Sequence, residues 1–170
     1  MPDPEQKYYF DTVVLSNFAL VDCLDLLTIM YKDRLIITTE VVDEISRGIS
    51  SGFDALQEII NLLTDGSISQ YSLSSSSGER QAYTSLLVNL GAGEASSIAA
   101  AKTVDGIVVT DDKLARKICI ERGLKVTGTI GILKKLCIKD ILQLQEANSI
   151  LQEMITCGFY SPVNRISEIF

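Results

Sequence analysis

The sequence predicts an α/β fold, a three-layer α/β/α sandwich around a mainly parallel sheet. Two observations predict the layers. Short β-branched or aromatic runs alternate with segments of helical hydrophobic spacing through all 170 residues. No internal repeat and no linker interrupts the alternation. A third observation predicts where a ligand goes. The run Gly106-Ile-Val-Val-Thr-Asp-Asp112 passes at once into an amphipathic stretch from Lys113. That is a strand-to-helix edge, where parallel sheets place their sites.

Taken in order, residues 7–15 read as the first strand, with Asp11 near its end. A carboxylate there faces a crevice, not a core. Residues 15–31 carry helical spacing with a break near Asp22. A turn at Asp33-Arg34 leads to the short buried strand 35–38. Thr39 is read as the cap of a helix that ends near Gly48, with Glu40 and Glu44 on one face. Residues 53–63 form a helix ended by Gly66, and 68–73 alternate as a strand. Residues 74–78 are a polar serine loop, and 79–87 are helical. A tight turn at 90–93 precedes a helix of small residues from Glu94 to Lys102. Residues 113–122 form a helix with Leu114, Ala115, Ile118 and Cys119 facing in, closed by Gly123. The last strand is 125–129. Helices follow at 130–137 and from 139 to about 157. One domain therefore spans 1–157, and 158–170 remain as a C-terminal tail suited to pack on a neighbour or a second copy.

Composition removes several functions. Nearly half the residues (46%) are hydrophobic, as in a folded domain. No apolar run approaches the ~20 residues of a membrane span, and the acidic start Met-Pro-Asp-Pro-Glu is unlike a signal peptide. The absence of histidine excludes Ser-His-Asp and Cys-His catalysis and imidazole metal sites. Neither a Walker A sequence nor a G-x-G-x-x-G is present. Cys23, Cys119, Cys137 and Cys157 form no C-x-x-C pair and read as reduced thiols of a cytoplasmic protein. A net charge of -7 disfavours a simple nucleic-acid binder. A metal-dependent nuclease escapes that objection, because its cations meet the phosphates.

Carboxylates remain. Asp11 follows the first strand, Glu44 lies on the helix after the second, Glu94 opens a helix after Gly-x-Gly, and Asp111-Asp112 end the Ile-Val-Val strand. Singly, each has an ordinary explanation as a turn, a solvated face, a dipole partner or a helix cap. Together, two of them end apolar strands, and in a parallel sheet those ends share one edge. Clustered carboxylates repel unless a cation neutralises them, and an oxygen-only set suits Mg²⁺ or Mn²⁺. Asp11, Glu94, Asp112 and Asp111 are the candidate metal ligands. Asp112 is preferred for the metal side, and either aspartate can cap the helix. Thr110 is a candidate to hydrogen-bond a ligating carboxylate. Asn17 either does the same or touches substrate.

These residues carry a family resemblance. Asp11-Thr-Val-Val-Leu-Ser-Asn17 resembles the opening motif of the PIN-domain family. Leu24-Asp-Leu-Leu27, the Glu40-Val-Val-Asp-Glu-Ile45 helix, Gly93-Glu94-Ala95 and Val109-Thr-Asp-Asp-Lys113 follow in that family's order. Gly123-Leu-Lys-Val-Thr-Gly-Thr-Ile-Gly-Ile-Leu133 is similar to a prokaryotic subgroup close to the VapC-type toxins. The chain departs from the pattern at Val13, where the family usually has a small hydroxyl residue. The resemblance implies a parallel α/β/α fold and a site that binds Mg²⁺ or Mn²⁺. It also implies endoribonuclease activity, often as the toxin of a toxin–antitoxin pair and often as a homodimer. Carried over by position, Asp11, Glu44, Glu94 and Asp112 are the catalytic acids, with Asp111 a fifth. RNA is then the substrate and a basic antitoxin the partner. The alternative is a PIN-like module that binds or regulates without cleaving.

Overall fold

The computed structural model describes residues 5–170, with Ser77 described by its backbone alone. Among the described residues, five short strands form one parallel sheet: β1 (Tyr8–Phe10), β2 (Leu35–Thr38), β3 (Ser69–Tyr71), β4 (Ile107–Val109) and β5 (Lys125–Thr127). The strand order is β3-β2-β1-β4-β5. From central β1 the chain first moves outward through β2 and β3. It then crosses back to add β4 and β5 on the other side. The carboxyl ends of β1 and β4 therefore flank the point where the winding reverses, which is where such sheets open a crevice.

The pleat sorts the core into two layers. Tyr8, Phe10, Leu35, Ile37 and Val109 enter the larger one. There they meet α1 (Thr12–Leu20), α2 (Leu24–Tyr31), α3 (Thr39–Ser50), α4 (Gln57–Thr64), α8 (Thr129–Ile138) and α9 (Leu144–Thr156). Tyr9, Ile36 and Val108 point the other way, against α5 (Ser77–Leu86), α6 (Ala92–Thr103) and α7 (Lys113–Glu121). The sandwich read from the sequence is thus the observed fold. Helix α6 is buried along Ala95, Ile98, Ala99, Ala100 and Ala101, so its small side chains bring its backbone close to β1, β2 and β4. Among the described residues no helix is long and apolar enough to cross a membrane.

Several boundaries differ from the sequence expectation. The first strand stops at Phe10. Val13 and Val14 lie in α1, Val14 buried and Val13 half exposed. β-Branched residues read as strand here yield to tertiary context: Asp11 caps the helix, and Leu15 and Phe18 bury its inner face. The break near Asp22 is present, with φ 55 at that residue. The cap of α3 is Thr38, one residue early, and its hydroxyl accepts the Val41 N–H at 3.3 Å. That helix also runs past Gly48 to Ser50. The serine loop is shorter than expected because α5 begins at Ser77. Leu114 is exposed, unlike its helical neighbours Ala115 and Cys119. Residues 139–143 are not helical, and Asp140 has φ 55.

The segment after α9 lies on its own chain. Ile166 is fully buried in the larger core, and a short 3-10 turn (Ile166–Ile169) packs on α8 and α9. Asn148 Oδ1 accepts the Ile166 N–H at 2.7 Å, and Lys134 Nζ donates to the Ile169 carbonyl at 2.6 Å.

Candidate active site

The crevice at the ends of β1 and β4 is a cavity of about 1070 Å³. Asp11, Glu94, Asp111 and Asp112 line it, with Asn17, Lys113 and Arg116. Each acid is aimed by its own local structure. The sheet ladder runs one step past the strands: Asp11 N–H donates to the Val109 carbonyl and Thr110 N–H to the Thr127 carbonyl, both at 2.9 Å. Asp11 then caps α1, its Oδ1 accepting the Thr12 N–H at 2.7 Å, while Thr110 Oγ1 donates to Oδ2 at 3.3 Å. Glu94 is not the first helical residue, as the Gly-x-Gly reading had it, but lies in the first turn of α6. From there it reaches back to accept the Gly91 N–H at 2.9 Å, half of a capping box. Asp112 caps α7 by accepting the Ala115 N–H at 2.7 Å.

Asp111 and Glu44 are held differently. Asp111 Oδ1 accepts the Thr129 N–H at 2.8 Å, and Oδ2 accepts from the Thr129 hydroxyl and from Asn17 Nδ2. Asn17 also donates to Thr129 Oγ1 at 3.0 Å. This clamp ties the end of β4 to α1 and to the start of α8. Glu44 Oε2 accepts the Thr12 hydroxyl and Oε1 accepts the Gly93 N–H at 2.9 Å. It stands beside Asp11 and Glu94 but does not line the cavity.

The acids sense one another. Burial pushes the Asp11 carboxyl up from 3.8 to about 7, and the nearby Glu94 and Glu44 add to the shift. Glu94 is raised in turn, first by burial and then by Asp112. Asp11, Glu94, Asp112 and Glu44 therefore form one electrostatic unit, although they come from four separate elements.

Among the described residues no three acidic or thiol side chains stand together as a ready ligand set. Both oxygens of Asp11, Asp111 and Glu44 accept from protein donors, and Asp111 Oδ2 accepts twice. Asp11, Glu94 and Asp112 each keep lone pairs free beyond their caps, since a carboxylate has about four acceptor sites. Their mutual repulsion is what a divalent cation relieves, and oxygen-only donors fit a hard ion.

Asp11, Glu94, Asp111 and Asp112 thus line one cavity, Thr110 is bonded to Asp11, and Glu44 lies outside the lining. Sequence reasoning misses Thr12, Gly93 and Thr129, whose hydroxyl or amide groups hold the acids. The signal for Thr12 was its hydroxyl directly after Asp11. For Gly93, a Cβ would lie 2.5 Å from Glu44 Oε2. Gly93→Ala should push Glu44 aside at small cost to folding, because the carboxylate ends a flexible side chain. The expected outcome is a tenfold to hundredfold loss of activity, roughly the effect of losing a group that orients a ligand. A thermal melt beside the rate measurement checks it, and unchanged activity would mean that Glu44 has no part in the site.

A family model described as a PIN domain matches residues 7–170 of the chain. No curated protein matches the sequence.

Proposed function

The chain belongs to the PIN-domain family, and from that premise we propose that it is a metal-dependent endoribonuclease. Proteins of this family are typically metal-dependent nucleases acting on RNA or DNA. The observation that carries the proposal is the meeting of Asp11, Glu94 and Asp112 in one cavity at the reversal point of the sheet, with the first two raised in pKa partly by their neighbours.

Asp11, Glu94 and Asp112 are the residues that would hold Mg²⁺ or Mn²⁺. The ion supplies charge neutralisation at the phosphodiester and makes water a better nucleophile near neutral pH. Thr110 and the Thr12 amide fix the Asp11 carboxylate; the Gly91 and Ala115 amides fix Glu94 and Asp112. Glu44 keeps α3 against the first turns of α1 and α6 and adds negative charge behind Asp11. Asp111 acts as the clamp and not as the principal ligand. Arg116 Nη1 donates to the Thr110 carbonyl at 3.0 Å, which brings a guanidinium to the rim where a phosphate arrives.

A toxin's role beside a basic antitoxin agrees with the net charge of -7, since opposite charge speeds association. A homodimer remains part of the proposal, and four free thiols suit a reducing cytoplasm.

The test is incubation of the purified chain with a mixed single-stranded RNA pool in Mn²⁺, Mg²⁺ or EDTA. Cleavage is expected with either metal and not in EDTA. Asp112→Asn keeps the helix cap but should cut the rate at least about a hundredfold. Cleavage in EDTA, or at full rate in the variant, would remove the proposal. RNA binding without cleavage would favour a non-cleaving PIN-like module.

A further inference from the structure

The far wall of the acidic cavity is built by chain that follows α9, not by the sheet edge. Gly158 turns the backbone at φ 108, and the Phe159 N–H returns to the Met154 carbonyl at 2.9 Å. Phe159 packs against the larger core. Beyond it, the Ser161 hydroxyl donates to the Val163 carbonyl, and Ile166 anchors the rest. Between these fixed points Tyr160 is 87% exposed and lines the cavity. A single exposed ring is ordinary on a protein surface. The surroundings of this one are not. Lys113 Nζ lies 6.0 Å from its centroid, and Lys113 directly follows Asp112. Arg116, one turn on, lines the same cavity. An exposed ring on an anchored segment thus stands in the same cavity as the acids, with two cations from the acid-bearing helix α7 between them, in a protein that is otherwise acidic.

We propose that Tyr160 is a stacking platform for an unpaired base of the RNA strand, next to the phosphodiester held at the acids. The identity of the strand rests on the ribonuclease proposal. Lys113 covers part of one face of the ring and meets a flanking phosphate, so the base takes the open face. Stacking on an aromatic side chain tolerates any base, because every base has a π-face. Local cations supply the phosphate attraction that the net charge denies. The device selects single strands, since the bases of a duplex are already stacked on one another and cannot splay onto a ring.

The experiment measures binding in EDTA, where cleavage is not expected, to a fluorescent single-stranded RNA and to its duplex. Tyr160→Ala should weaken single-strand binding about tenfold and leave the melting temperature unchanged, because the side chain is exposed. Tyr160→Phe should bind within about twofold of wild type. The chain has no tryptophan, so Tyr160→Trp places a lone indole at the site, and single-stranded RNA should quench it while duplex does not. Equal binding by wild type and Tyr160→Ala, or equal quenching by duplex, overturns the proposal. The cleavage assay separates the two ideas. Metal-dependent cleavage with an unaffected Tyr160→Ala removes the platform alone. Quenching by single strands without cleavage in metal supports the platform and removes the nuclease.

Discussion

Asp11→Asn should abolish metal-dependent RNA cleavage and, in EDTA, make the protein more stable above neutral pH. Asp11 is 2% exposed, and burial, with Glu94 nearby, pushes its carboxyl up from 3.8 to about 7. Between those values the folded state keeps a proton that the unfolded chain has lost. Wild-type stability therefore falls as pH rises through that window, and the full penalty is present above about 7. Roughly three pKa units correspond to something on the order of 4 kcal/mol. For a domain of this size that is about 10 °C in melting temperature. Asparagine has no charge to desolvate, and its Oδ1 can still cap the Thr12 N–H. Melts of both proteins from pH 4 to 8.5 check the prediction. In EDTA the wild type should lose stability towards pH 8, and the variant should lose much less. Saturating Mg²⁺ or Mn²⁺ should restore the wild type at pH 8 and leave the variant unmoved. Parallel profiles for the two proteins would show that Asp11 is not the strained group.

Gly128→Ala should cost stability and activity together. A Cβ at Gly128 would sit 2.3 Å from Asp111 Oδ1, 2.9 Å from the Thr110 carbonyl and 3.1 Å from Arg116 Nη1. The first contact displaces the carboxylate that ties β4 to Thr129 and Asn17. The second is backbone, which cannot swing away. The third dislodges the guanidinium at the cavity rim. Overpacking and weakened charge-assisted bonds each cost on the order of 1–3 kcal/mol, so the sum should be about 2–6 kcal/mol. Denaturant unfolding measures it directly. An alanine variant with wild-type stability would mean that the clamp is loose in solution. Asp111→Asn is the companion variant. It keeps an acceptor for the Thr129 N–H and should lose less stability than Gly128→Ala.

The two substitutions mark what was legible in the sequence. Strands β2 and β4 were readable because four or fewer apolar β-branched residues between turn signals have few other uses. The acids at strand ends followed from chain direction alone, since parallel strands deliver their carboxyl ends to one edge. The strand ends one residue before Asp11, and the expected exposure to the crevice does not hold, since Asp11 is buried; it still lines the cavity because a cap at a strand end faces the same edge. Pairwise choices were beyond periodicity. Nothing in Thr110-Asp111-Asp112 says which aspartate Thr129 will take, since that partner arrives from residue 129 through β5. The serine loop misled because a run of like residues carries no signal of where α5 begins, and Ser76 before it makes no side-chain cap bond. Residues 158–170 read as a tail because their apolar residues lack a period, whereas Ile166 needs only one pocket between α8 and α9 to hold the segment down.

The crossing of the chain back over β1 has a kinetic side. The Thr110–Asp11 hydrogen bond joins residues 99 apart, and the paired strands that carry them are equally distant in sequence. Contacts so remote form after local helices and after β1–β2 pairing, since loop closure must come first. During synthesis at roughly 5–20 residues per second, about 5–20 s separate the appearance of the two residues. Through that interval Asp11 exists without its cleft, and the wall bearing Tyr160 comes later still. The three acids therefore come together only when most of the chain has been made, and the cavity is walled only when nearly all of it has, a delay set by strand order.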